Sequence, residues 1–111
     1  MKEYKFESLK KNIIKNINDA AREGWRVVAY SASNIFGSSY RYDVIFEREK
    51  DSLKNTDITV EYKIVTAKDN ILQQINEYTL KGYKLVSFSN NTTFGASINY
   101  DLVFERTIKI L

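Results

Sequence analysis

The residues best suited to binding chemistry lie in two loops, at positions 33–39 and 91–97. Each loop carries one phenylalanine, Phe36 or Phe94, followed directly by glycine. A loop phenylalanine can stack on a nucleobase, while glycine allows close backbone approach and polar side chains supply hydrogen bonds. The alternative is a phenylalanine that folds back onto the core, with glycine chosen for a positive φ.

Two arginines, Arg48 and Arg106, end equivalent predicted strands. A guanidinium group can bind a phosphate through two parallel hydrogen bonds, whereas an ion pair at a sheet edge would contribute little. Arg41 is a further candidate for anion contact, but its counterpart is Asn99, so a site that uses Arg41 would not be symmetric. The polar residues that would complete a ligand site are Asn34, Ser39, Asn90, Asn91 and Ser97.

The composition excludes several chemistries. The chain has no histidine and no cysteine, which removes zinc fingers, disulfide frameworks and His-based or thiol catalysis. Asp43 and Asp101 lie mid-strand and invite an acid/base interpretation, but a structural carboxylate is the commoner outcome at such positions. We therefore expect a protein that is not an enzyme and that needs no cofactor and no metal.

Charge and hydropathy limit the partners and the cellular location that the sequence predicts. Lys plus Arg total 17 and Asp plus Glu total 14, and a net charge of +3 is too small by itself to indicate duplex nucleic-acid binding. The sequence contains no apolar run of signal-peptide or membrane-span length. We expect a cytoplasmic protein of a bacterial cell, without a membrane partner and with a core built from its 43% hydrophobic residues.

The strongest signal is an internal repeat. Residues 3–48 align without a gap onto residues 61–106, with about 19 identities in 46 positions. Shared composition would not keep one register over this length, so the pattern predicts a tandem duplication. The polar segment 49–57 is predicted to link the two units. Each unit is marginal alone, so we expect one domain, 1–111, whose two pseudo-symmetric units share a core around a pseudo-twofold axis.

Each unit is predicted to form β-α-β-β. The apolar residues between Ile13 and Ala21 have helical spacing, Ser8 and Thr66 are predicted N-caps, and Gly24 and Gly82 are placed to end the helices. A hairpin follows, with arms at 25–32 and 40–48 and again at 83–90 and 98–106. The predicted fold class is α+β, with one mostly antiparallel sheet of about six strands and two helices on one face.

The second arm of each hairpin has two different faces. Tyr42, Val44 and Phe46 alternate with Asp43 and Ile45, so one face is apolar and the other is mixed. The second unit repeats this alternation around Val103. The apolar face predicts the core, and the mixed face is either half-solvated or an interface.

Several of these residues resemble a known family. Tyr4-Lys5, a helix, the string Gly24-Trp25-Arg26-Val27-Val28 and a closing strand that ends in Arg48 resemble a small family of unknown function found in bacteria and their phages. The resemblance implies a βαββ fold and no established activity. The size, the mixed architecture and the loop phenylalanine are also similar to phage proteins that sequester nucleotide immune signals, such as the Thoeris anti-defence proteins.

We consider two functional hypotheses. The first is a non-enzymatic protein that binds a small anionic, base-containing ligand. The resemblance to signal-sequestering phage proteins implies that such a protein is homo-oligomeric, a phage or prophage anti-defence sponge for a cyclic ADP-ribose-type or cyclic oligonucleotide signal. Phe36 and Phe94 would stack on the base, and Arg48 and Arg106 would bind phosphate. The second is a structural or protein-interaction domain that self-associates through the mixed sheet face around Ile45 and Val103.

Overall fold

The computed structural model describes residues 1–35, 39–50, 58–90 and 99–109. The chain forms two βαββ units with the same order of elements. The first contains β1 (Lys2–Leu9), α1 (Ile13–Arg22), β2 (Arg26–Ile35) and β3 (Ser39–Glu49). The second contains β4 (Ile58–Ala67), α2 (Ile71–Leu80), β5 (Lys84–Asn90) and β6 (Tyr100–Lys109). The predicted α+β architecture of two βαββ units is confirmed.

The six strands form two antiparallel sheets, ordered β1-β3-β2 and β4-β6-β5, whereas the sequence predicted one sheet. The difference arises at the outer edge of β4, which lies at one side of the second sheet. Asn18 of α1 bonds to both backbone polar groups of Tyr62 there, so a side chain occupies the edge that another strand would need. β2 and β5 also meet through a side chain, because Ser89 Oγ accepts a hydrogen bond from the Ala32 amide at 2.9 Å.

The helices begin later than predicted. Asn12 and Asn70 are the N-cap residues, both in the left-handed region with φ of 57° and 53°, and neither makes a side-chain capping bond. Asparagine tolerates this conformation better than most residues. The prediction that Ser8 and Thr66 are N-caps was wrong, because both lie within strands.

The helix ends match the sequence prediction. Gly24 follows α1 with φ of 95°, and the Gly24 and Trp25 amides bond back to the carbonyl groups of Ala21 and Ala20. This is a Schellman ending, which needs a residue with positive φ and so favours glycine. Gly82 ends α2 in the same way, with φ of 93°.

The main hydrophobic cluster contains residues of both units. It joins Ile17 and Ala21 of α1 and Phe46 of β3 to Tyr62 and Val103 of the second sheet. α1 therefore packs against β4 as well as against its own unit. The two units use different surfaces in this contact, so their arrangement is head-to-tail and not the expected pseudo-twofold.

Candidate functional site

The arginine at the end of β3 is held by its own unit. Arg48 Nε and Nη2 both donate to Glu3 Oε2, at 3.2 and 3.1 Å, and Nη1 donates to the carbonyl of Glu23 at 3.1 Å. Its guanidinium carbon lies 4.1 Å from the ring centroid of Trp25. The group thus ties together β1, β3 and the end of α1.

The second unit repeats this arrangement. Arg106 is paired with Glu61, donates to the Lys81 carbonyl at 3.3 Å and lies 4.5 Å from the Tyr83 ring centroid. Burial and Glu61 raise the pKa of Tyr83. These contacts favour the structural interpretation of both arginines over phosphate binding, because the carboxylate already holds the face that would receive a phosphate.

The structure describes only some of the remaining predicted ligand residues. Phe36, Phe94, Asn91 and Ser97 lie outside the described residues. The backbones of Asn34 and Ser39 lie near the end of β2 and at the start of β3, on either side of the hairpin connection. Asn90 is exposed at the end of β5. The nucleotide-binding hypothesis therefore stays a prediction.

Arg41 has a structural partner of its own. Its Nε lies 3.4 Å from Asp43 Oδ1, and its Nη2 lies 3.5 Å from Asp43 Oδ2. Ser8 Oγ also donates to Asp43 Oδ1, at 2.8 Å. The carboxylate in the middle of the first sheet is thus bound by Ser8 and Arg41.

The equivalent carboxylate in the second sheet is bound differently. Asp101 is buried, with Thr66 donating to Oδ1 at 2.7 Å and the hydroxyl of Tyr30 donating to Oδ2 at 2.8 Å. Tyr30 belongs to the first unit, so this hydrogen bond joins the two units. Burial and the neighbouring carboxylate raise the pKa of Tyr30. The sequence pattern placed Asp101 on the mixed face but could not identify its partner.

A second tyrosine, Tyr62 of the second unit, also bonds across to the first unit. The Tyr62 hydroxyl donates to Glu105 Oε2 at 2.5 Å and accepts from the Val27 amide at 2.9 Å. Burial, followed by the bond to Glu105, raises the pKa of Tyr62. Asn18 completes the contact, because its side chain accepts from the Tyr62 amide at 2.7 Å and donates to the Tyr62 carbonyl at 3.4 Å.

These bonds define two complementary surfaces. We call the set Asn18, Val27 and Tyr30 the head surface of the first unit. We call the set Tyr62, Ile64, Asp101 and Val103 the tail surface of the second unit. The tail surface is the mixed sheet face noted in the sequence. In this chain the head surface of the first unit covers it.

The equivalent surfaces at the other two ends are exposed. The tail surface of the first unit consists of Tyr4, Phe6, Asp43 and Ile45, and the head surface of the second unit consists of Asn76, Leu85 and Phe88. Tyr4 is 61% exposed where Tyr62 is 4% exposed, and Phe88 is 57% exposed where Tyr30 is 6% exposed. Each unit thus has both surfaces, and one of each is uncovered in the chain.

Sequence reasoning missed the residues that join the units. Asn18 and Asn76 are identical and lie 58 positions apart, but helical asparagines gave no signal of their own. Among the described residues, no cluster of three or more acidic groups could hold a metal ion. No helix in the described ranges is long and apolar enough to cross a membrane.

Comparison with known proteins bears on the first unit. Residues 1–49 match the model of a family described as a domain of unknown function (DUF4177). This match supports the resemblance of that unit to a small family of unknown function. Neither the search of curated proteins nor the search of solved structures found a match.

Proposed function

We propose that this protein acts by binding rather than by catalysis, as an interaction domain that self-associates through the tail surface of its first unit. The observation that carries the proposal is the contrast between two equivalent sheet faces. Val103 on the second sheet is fully buried under the first unit, while Ile45 at the same position of the first sheet is exposed.

The composition of the exposed face supports this proposal. Tyr4, Phe6 and Ile45 are all exposed and lie on one side of the first sheet, since Phe6 pairs with Ile45 and Tyr4 pairs with Glu47. A contiguous apolar patch of this kind on a small protein marks an interaction site more often than an accident of sequence. The partner is a second copy, because the chain already contains the surface that covers such a face.

The experiment is sedimentation velocity over a range of protein concentrations. The wild type is expected to show concentration-dependent association, and Phe6→Glu is expected to weaken it because association would bury an unpaired charge. Leu80→Glu is the matched control, since Leu80 is exposed on α2 outside both surfaces. A wild type that stays monomeric at every concentration, up to that of the most concentrated soluble sample, overturns the proposal.

A further inference from the structure

We infer that the tail surface of the first unit binds the head surface of the second unit of another copy, so that chains associate head-to-tail. This inference rests on the proposed function and adds the second surface and the geometry. The contact inside the chain supplies the template. Residues 58 positions apart occupy equivalent places in both units, down to the strand irregularities at 27/29 and 85/87.

The edge contact can be repeated between copies. Inside the chain, Asn18 bonds to the amide and carbonyl of Tyr62 on the edge strand β4. Tyr4 pairs with Glu47 in the register in which Tyr62 pairs with Glu105, so its polar groups face the open edge of β1. Asn76, the equivalent of Asn18, is exposed on α2. Asn76 of one copy can therefore bond to Tyr4 of the next.

The sheet contact can be repeated as well. Tyr30 and Val27 of the first unit pack over the second sheet, and their equivalents Phe88 and Leu85 are exposed. Exposed large apolar side chains thus occur on both free surfaces, the tail of the first unit and the head of the second. An association of two tail surfaces alone would leave the apolar head surface uncovered.

A pair of sequence differences between the units fits this contact. Tyr30 donates to Asp101 inside the chain, whereas its equivalent Phe88 has no hydroxyl group. In the first unit the corresponding carboxylate, Asp43, is bound by Arg41, and Arg41 stands where the second unit has Asn99. Both carboxylate oxygens of Asp43 would therefore keep a hydrogen-bonding partner when Phe88 of another copy packs against them.

The contact is heterologous, because the two surfaces are different. Repetition of one head-to-tail step closes into a ring or continues as a filament, depending on the rotation between successive copies. Association at high concentration should consequently exceed a dimer. A contact between two identical tail surfaces would stop at two copies.

The test uses two variants and their mixture. Phe6→Glu removes the free tail surface and Phe88→Glu removes the free head surface, and each alone is expected to weaken association by roughly tenfold or more. An equimolar mixture is expected to form a heterodimer, since each variant keeps one intact surface. Circular dichroism of each variant checks that its fold is retained, and Leu80→Glu controls for added charge.

The outcomes separate the two proposals. If Phe6→Glu abolishes association while Phe88→Glu has no effect, the tail surface pairs with itself. Self-association then stands and the head-to-tail inference is overturned. If the wild type does not associate at all, both proposals fail.

Discussion

The hydroxyl of Tyr30 in the first unit donates a 2.8 Å hydrogen bond to the buried carboxylate of Asp101 in the second. This bond fixes the register between the two sheets, because both groups are buried and a shift would leave the carboxylate without one of its donors. The two units are thereby locked into one arrangement, with one tail surface covered and the other free.

Removing the Tyr30 hydroxyl should lower stability markedly. For Tyr30→Phe we expect a loss of about 1.5–3 kcal/mol in the free energy of unfolding, because a buried charged acceptor loses its donor. Urea denaturation at low protein concentration measures this value. Tyr4→Phe, at the exposed equivalent of Tyr62, is the control and should change stability by less than about 0.5 kcal/mol. Equal effects of the two variants would show that the Tyr30–Asp101 bond does not hold the units together.

Stability should fall at alkaline pH because of two buried tyrosines. Burial and neighbouring carboxylates raise the pKa of Tyr30 and Tyr62 above the ordinary value of 10.0. Both stay protonated in the folded state and can ionise after unfolding, so their contribution is complete below pH 10 and declines above it. The expected slope is up to about 1.4 kcal/mol per pH unit for each tyrosine.

Two measurements check the alkaline behaviour. Absorbance at the phenolate band should show ionisation of the exposed tyrosines first and of the two buried ones only as the protein unfolds. The Tyr30→Phe variant should lose stability with pH less steeply than the wild type. A wild type whose free energy of unfolding does not fall as the pH rises above 10 would contradict this prediction.

Two equivalent asparagines should behave differently. Asn18→Ala removes two bonds to the edge of β4 and should destabilise the monomer by about 1–2 kcal/mol. Asn76→Ala changes an exposed residue and should leave the monomer within about 0.5 kcal/mol of the wild type. Its effect should instead appear in the concentration dependence of sedimentation. A monomer equally destabilised by both changes would argue against the difference in their contacts.

Arg48→Lys should reveal a structural arginine. The single nitrogen of lysine cannot replace the two guanidinium nitrogens that donate to Glu3 Oε2 and still reach the Glu23 carbonyl, so a loss of about 1 kcal/mol is expected without any ligand. Thermal unfolding with and without cyclic nucleotides and ADP-ribose derivatives provides the comparison. Glu3→Gln is the matched change on the other partner. A ligand-induced stabilisation that Arg48→Lys abolishes would instead support the nucleotide hypothesis.

Introduced cysteines should trap the head-to-tail contact, since the chain has no native cysteine. Mixing Tyr4→Cys with Asn76→Cys under mild oxidation should give mainly the mixed disulfide, because these positions meet between copies in our proposal. The double variant Asn18→Cys, Tyr62→Cys tests the same geometry within one chain. Homodisulfides of Tyr4→Cys in excess would point to tail-to-tail pairing. Electrophoresis without reductant distinguishes these products.

The local elements were largely predictable because their signals are local. Gly24 and Gly82 were recognised as helix ends, since the Schellman ending needs positive φ. The strand alternation around Ile45 and Val103 correctly separated an apolar face from a mixed one. The N-cap prediction at Ser8 and Thr66 was wrong because both residues lie in strands. Their hydroxyl groups donate to the carboxylates on the neighbouring strands, Ser8 to Asp43 and Thr66 to Asp101.

The sequence by itself determined two βαββ units and the residues that build each one, because hydrophobic period, helix endings and strand alternation act over a few residues. Only the tertiary structure decided that six strands form two sheets and that, of two equivalent surfaces, one is buried and the other exposed. That decision depends on contacts between residues far apart in the chain, such as Asn18 with Tyr62 and Tyr30 with Asp101. Two units stacked head-to-tail in one chain cover only one of their two tail surfaces, so the other stays exposed.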